Sequence, residues 1–99
     1  MAVIELLRTR VPVEKQEEFL ARDAAVWTPA LANHDGFISK ECWISLDEPD
    51  LVTMVIHWNS LAQWQSFPAD LLTELDRQMG DLLFPLTCET YAVHGQVPH

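Results

Sequence analysis

The sequence predicts an α+β protein of ferredoxin-like βαββαβ order: a four-stranded antiparallel sheet with two helices on one face. Three observations predict it. Runs of β-branched and apolar residues alternate with stretches of helical spacing in the order strand, helix, strand, strand, helix, strand. A DEPD connection joins the second and third strands as a hairpin. The run Ser60-Leu61-Ala62-Gln63 has the S-x-x-Q form of a capping box, so a helix starts where the third strand ends.

AVIELLRTRV (2–11) is β-rich and roughly alternating, hence the first strand. From Pro12 onward Leu20, Ala24, Trp27 and Leu31 share one helical face. Pro12 suits a first turn, and Glu14, Glu17 and Glu18 lie near the positive end of the helix dipole. Pro29 removes a helical donor and should kink or interrupt the last turn. NHDG (33–36) is a turn in which Gly36 takes positive φ. GFISKECWISL (36–46) and DLVTMVIHW (50–58) are the paired strands. Leu61, Trp64, Leu71, Leu75, Met79 and Leu82 recur near helical spacing, with Pro68 dividing this second helix into two pieces. LTCETYAVHG (86–95) is the last strand and QVPH a short tail.

The 99 residues are read as one domain over 1–99. Six Lys/Arg against fifteen Asp/Glu give a formal charge of −9 with no basic run, which disfavours nucleic acid and anionic membrane as partners. The N-terminal run is too short and too charged to be a signal peptide or a span. Cys42 and Cys88 form no ligand spacing, so a reduced, cytoplasmic protein is expected. The strand order 4-1-3-2 sends these cysteines to opposite sheet edges, too far apart for a disulfide. With both helices on one side, strands carrying Thr9, Thr53 and Val55 leave an apolar face uncovered, and a homodimer is expected to cover it.

The order of elements and the run VIHWNSLAQW resemble the antibiotic-biosynthesis-monooxygenase-like proteins of the dimeric α/β-barrel group. VIELLRTRV, DAAVWTPAL, GFISKECWI and VIHWNSLAQW are similar to a small branch of that group known chiefly from cyanobacteria. The resemblance implies two sheets packed face to face in a dimer, with a cavity between helices and sheet in each protomer. It does not fix a reaction, since quinone-forming, haem-degrading, isomerising and non-catalytic members share the fold. The haem-degrading members carry an asparagine on the first strand and a Trp/His pair ten residues apart. Glu5 stands on this first strand, and Glu74 and Arg77 follow Trp64 and Phe67 at that spacing. Haem degradation is therefore not expected.

Trp27, Trp43, Trp58 and Trp64 are the candidate walls of an aromatic site. Strand alternation puts Val52, Met54, Ile56 and Trp58 on one face, the helix side by the resemblance. Trp43, in phase with Phe37, is expected in the same layer, and Glu41 with it. Aromatic stripes more often pack a core than line a site. Four indole N–H groups in one small core are costly to satisfy, however, which favours a cavity. Glu5 is the first candidate base and Asp23 the second, because a carboxylate in an apolar cavity has a raised pKa. His57, out of phase with Trp58, is expected on the other sheet face. His34 lies in a turn, His94 at a strand end and His99 at the terminus. No metal motif, Gly-rich phosphate loop or nucleophile elbow occurs, and no cofactor is expected. The reading is a homodimer with an aromatic-lined pocket, oxidising a small phenolic or polycyclic compound without a cofactor. A non-catalytic binding protein and a dimeric interaction module remain as alternatives.

Overall fold

The computed structural model describes residues 1–95; the tail QVPH, which ends in His99, lies outside the described residues. Four strands form one antiparallel sheet: β1 (Val3–Arg10), β2 (Phe37–Ile44), β3 (Leu51–Trp58) and β4 (Leu86–Ala92), in the order β2-β3-β1-β4. The helices are α1 (Gln16–Ala32), α2 (Leu61–Gln65) and α3 (Ala69–Met79), with single 3-10 turns at Val13–Lys15 and Gly80–Leu82. The second helix is divided at Pro68, as its sequence requires. Ser60 Oγ accepts from the Gln63 backbone N–H at 3.2 Å and so caps α2.

Phe19 of α1 and Met79 of α3 pack on Val11, Val52 and Met54, while Leu31 packs on Val3, Ile56 and Trp58. Both long helices thus cover the sheet face that β3 presents through its even-numbered residues. The strands of Cys42 and Cys88 lie at opposite edges with β3 and β1 between them, and both thiols are free. Three strand spacings, roughly 14 Å, exceed disulfide reach.

Two local expectations need correction. Pro29 does not interrupt α1, which continues to Ala32; the Asn33 N–H still reaches the Pro29 carbonyl at 3.2 Å. The buried stripe of α1 runs through Phe19, Asp23 and Leu31, and Ala24 is exposed. A charge sits inside the stripe because a partner neutralises it there. On the opposite sheet face Val55 and Thr53 are largely shielded by flanking side chains, while Trp43 and Tyr91 stand about half exposed.

Candidate functional site

Between the helices and the sheet lies a cavity of about 760 Å³, within the range of roughly 300–1,000 Å³ usual for small-molecule sites. Its floor is the even face of β3, with Met54, Ile56 and Trp58, flanked by Glu5, Leu7 and Thr9 of β1. Phe19, Asp23, Trp27 and Leu31 of α1 form one wall. Trp64 of α2, Phe67, Asp76 and Met79 form another, and Phe84, Leu86 and Cys88 close the β4 side.

Three of the four tryptophans meet here and serve different ends. Trp58, 1% exposed, is built into the floor, edge-on to Phe37 (6.0 Å) and His34 (5.7 Å). Trp27 stacks near Phe67 at 6.4 Å, and Phe67 in turn meets Trp58 at 6.5 Å. Trp64 is only partly buried, and its side chain faces the cavity. The His34 ring is pinned by the Gln63 carbonyl (3.1 Å) and Ser66 Oγ (3.0 Å), which ties the turn before β2 to α2.

Glu5 interrupts the apolar run of β1 and projects into the cavity. The Trp58 indole N–H donates to its Oε1 at 3.1 Å. Burial pushes its carboxyl above the ordinary 4.5, against the opposing effects of the Trp58 and Trp64 indoles and the Lys40 charge. Asp23 is also in the wall, but its Oδ2 accepts from Lys40 Nζ at 2.5 Å, with both side chains about 93% buried or more. The Asp23 carboxylate is thus occupied by an ion pair. Burial also raises the Asp76 carboxyl, and burial with the nearby Glu5 charge raises the Cys88 thiol.

Glu41 and Trp43 do not reach the cavity. Phe37 faces Trp58, but Ser39 already faces His57, so β2 advances two residues where β3 advances one. This bulge at Ile38 inverts the alternation. Lys40 and Cys42 turn to the helix side, opposite Ile56 and Met54, while Glu41 and Trp43 face Val55 and Thr53 on the other side. There the Trp43 indole donates to Glu41 Oε1 at 2.9 Å. The same slip brings in Lys40, a site residue that sequence reasoning missed, since nothing in the run SKEC marks a bulge. His57 lies on the far face, in register with Ile4, as its phase indicates.

Two indole donors have side-chain acceptors, Trp58 on Glu5 and Trp43 on Glu41, and the Trp64 indole also acts on the Glu5 carboxyl. Among the described residues no buried polar side-chain atom lacks a partner, and no group of three metal-ligating side chains gathers. No helix among them is long and apolar enough to cross a membrane.

The family model for antibiotic biosynthesis monooxygenase matches residues 2–69, from β1 to the start of α3. The chain belongs to the antibiotic biosynthesis monooxygenase family. No curated protein matches it. Among solved structures, the Streptomyces coelicolor monooxygenase from the gene ActVA-Orf6, in complex with Nanaomycin D, superposes with a TM-score of 0.83. That pair shares 13% identity over 99% of this chain and 92% of the other. SnoaB, a cofactor-independent oxygenase from Streptomyces nogalater, gives 0.72 at 15% identity over 99% and 98%. A protein of Shewanella oneidensis gives 0.69 at 25% identity over 91% and 88%. These likenesses establish the antibiotic biosynthesis monooxygenase fold, four antiparallel strands with the helices on one face.

Proposed function

We propose that the protein is a cofactor-independent monooxygenase acting on a small phenolic or polycyclic compound held in the aromatic cavity. The observation that carries this reading is Glu5, a carboxyl raised by burial and set in the wall of a cavity lined by Trp27, Trp58, Trp64 and Phe67. Glu5 takes a proton from the bound ring system, leaving an electron-rich anion. The anion reacts with dioxygen away from bulk water; one oxygen atom becomes a ring carbonyl, the other leaves as water with two hydrogens of the substrate, and the substrate supplies all four electrons that reduce dioxygen. Kinship with a monooxygenase crystallised with Nanaomycin D and with a cofactor-independent oxygenase supports the reaction class.

Within the family we place the chain, as a single domain over 1–99, nearest the branch known chiefly from cyanobacteria, and in the cytoplasm on the strength of its free thiols. Dioxygen uptake in the presence of anthrone tests the function. Uptake of one dioxygen per anthrone above the protein-free rate is expected. Saturable binding with no uptake would instead support a non-catalytic binding protein using the same cavity.

The assembly follows from the open sheet face. Ile4, Leu6, Trp43 and Tyr91 lie on the side away from the helices, with the Arg8–Glu89 ion pair among them. We propose that a second copy covers this face. Light scattering at micromolar concentration should return twice the 11.3 kDa of one chain; a mass near 11.3 kDa would contradict it.

A further inference from the structure

Glu5, Ile56 and Lys40 occupy one rung of the sheet. Glu5 of β1 and Lys40 of β2 both face Ile56 of the intervening β3, one from each side. All three project toward the helices, so a carboxylate and an ammonium flank an apolar patch of cavity floor. Two strand spacings set their Cα atoms roughly 10 Å apart, and both side chains line the cavity. Lys40 also lowers the pKa of Glu5 through its charge, which places the two groups in electrostatic contact.

A lysine ammonium carries three N–H donors. Among the described residues Lys40 Nζ has one hydrogen-bond acceptor, Asp23 Oδ2. Asp23 therefore balances the charge without using the remaining donors. Apolar residues of like volume commonly replace a buried ion pair at no loss of stability, so packing alone does not call for an ammonium at this position.

We propose that Lys40 is a specificity-determining residue: with Glu5 it brackets a ligand hydroxyl over Ile56, selecting ring systems that bear an acidic hydroxyl at their edge. Glu5 accepts the hydroxyl proton through a carboxylate oxygen. The O–H bond breaks, its electron pair stays on the ligand oxygen, and that oxyanion accepts hydrogen bonds from Lys40. Nothing is oxidised in this step, and Asp23 and Lys40 keep their charges. The role rests on the aromatic cavity being a ligand site, and it adds the feature by which that site selects among ligands.

The test compares alizarin, a dihydroxyanthraquinone, with its dimethyl ether, across the pH range in which free alizarin passes from neutral to anionic. Replacing Lys40 alone would leave Asp23 buried without a counter-charge, so the variant is Lys40→Met combined with Asp23→Leu. Asp23→Asn, which keeps the ammonium and an acceptor for it, separates the two residues. The wild type should bind alizarin at least about tenfold more tightly than the ether, the scale of one hydrogen bond to a charged group. Bound alizarin should show the red-shifted spectrum of its anion at a lower pH than free alizarin does. The double variant should bind both compounds equally, and Asp23→Asn should keep the preference. Equal affinities in the wild type, or an unchanged preference in the double variant, would overturn the role of Lys40. Failure of the wild type to bind either compound would overturn the ligand-site reading and this proposal together.

Discussion

Glu5→Gln is expected to slow substrate oxidation by about 10²–10⁴-fold, the usual worth of a positioned general base, while leaving thermal stability at neutral pH unchanged or higher. The amide keeps an oxygen that can accept the Trp58 indole N–H, so the floor of the cavity stays intact. It cannot accept the proton. The stability sign follows from the direction of the pKa shift. Burial raises the folded-state value above 4.5, so the folded protein holds this proton more tightly than the unfolded chain does. The destabilisation is absent below the unfolded value, grows as pH rises toward the folded value, and is complete above it. Glutamine does not titrate and is free of it. For the same reason the acid limb of kcat/KM in the wild type should lie above pH 4.5. Steady-state rates across pH, with calorimetry of both proteins, check all three statements. A glutamine variant oxidising at the wild-type rate would remove Glu5 from the mechanism.

Trp58→Ala and Trp64→Ala should fail in opposite ways, although the two residues are joined by one strand-to-helix turn. Trp58 is 1% exposed and packs against Val3, Leu31, Ile56 and the rings of Phe37, Phe67 and His34. Its truncation leaves a void and takes the indole donor from Glu5, for a loss of about 3–5 kcal/mol of stability. Trp64 is only partly buried and packs on that cluster from the cavity side, so its truncation mainly widens the cavity. That change should weaken an aromatic ligand by about 1 kcal/mol with a much smaller effect on unfolding. Denaturant titrations and ligand binding on both variants give the comparison. A larger stability loss for Trp64→Ala than for Trp58→Ala would mean that Trp64 belongs to the core.

The strand order was legible because hydrophobic period and turn chemistry agree along most of the chain. Val52, Met54, Ile56 and Trp58 share one face of a β-rich run, Ser60 caps the next helix, and Pro68 divides it, so each local signal points to the same topology. Alternation put Met54, Ile56 and Trp58 on one face and the resemblance made it the helix side, while Glu5 stood out only as a charge interrupting an apolar strand. Glu41 and Trp43 were misplaced because one extra residue at Ile38 moves every later side chain of β2 to the other face. A bulge of this kind leaves no mark in composition. Lys40 was hidden by the same slip. Asp23 was recognised, but its buried place in the α1 stripe was not, since a carboxylate enters a helical core only when its counter-ion comes from another element. Pro29 was over-read: a proline in the last turn loses one hydrogen bond, and the helix runs on for three residues.

The central claim is that the space above Ile56 and Trp58 receives a planar aromatic compound. Titration of the wild type with a planar polycyclic phenol, followed by intrinsic tryptophan fluorescence, tests it most directly, because Trp27, Trp58 and Trp64 all line that space. Saturable quenching with one ligand per protomer, weakened in Trp64→Ala, is the expected result. Absence of saturable quenching across a panel of quinones, flavonoid-like phenols and haem would contradict it.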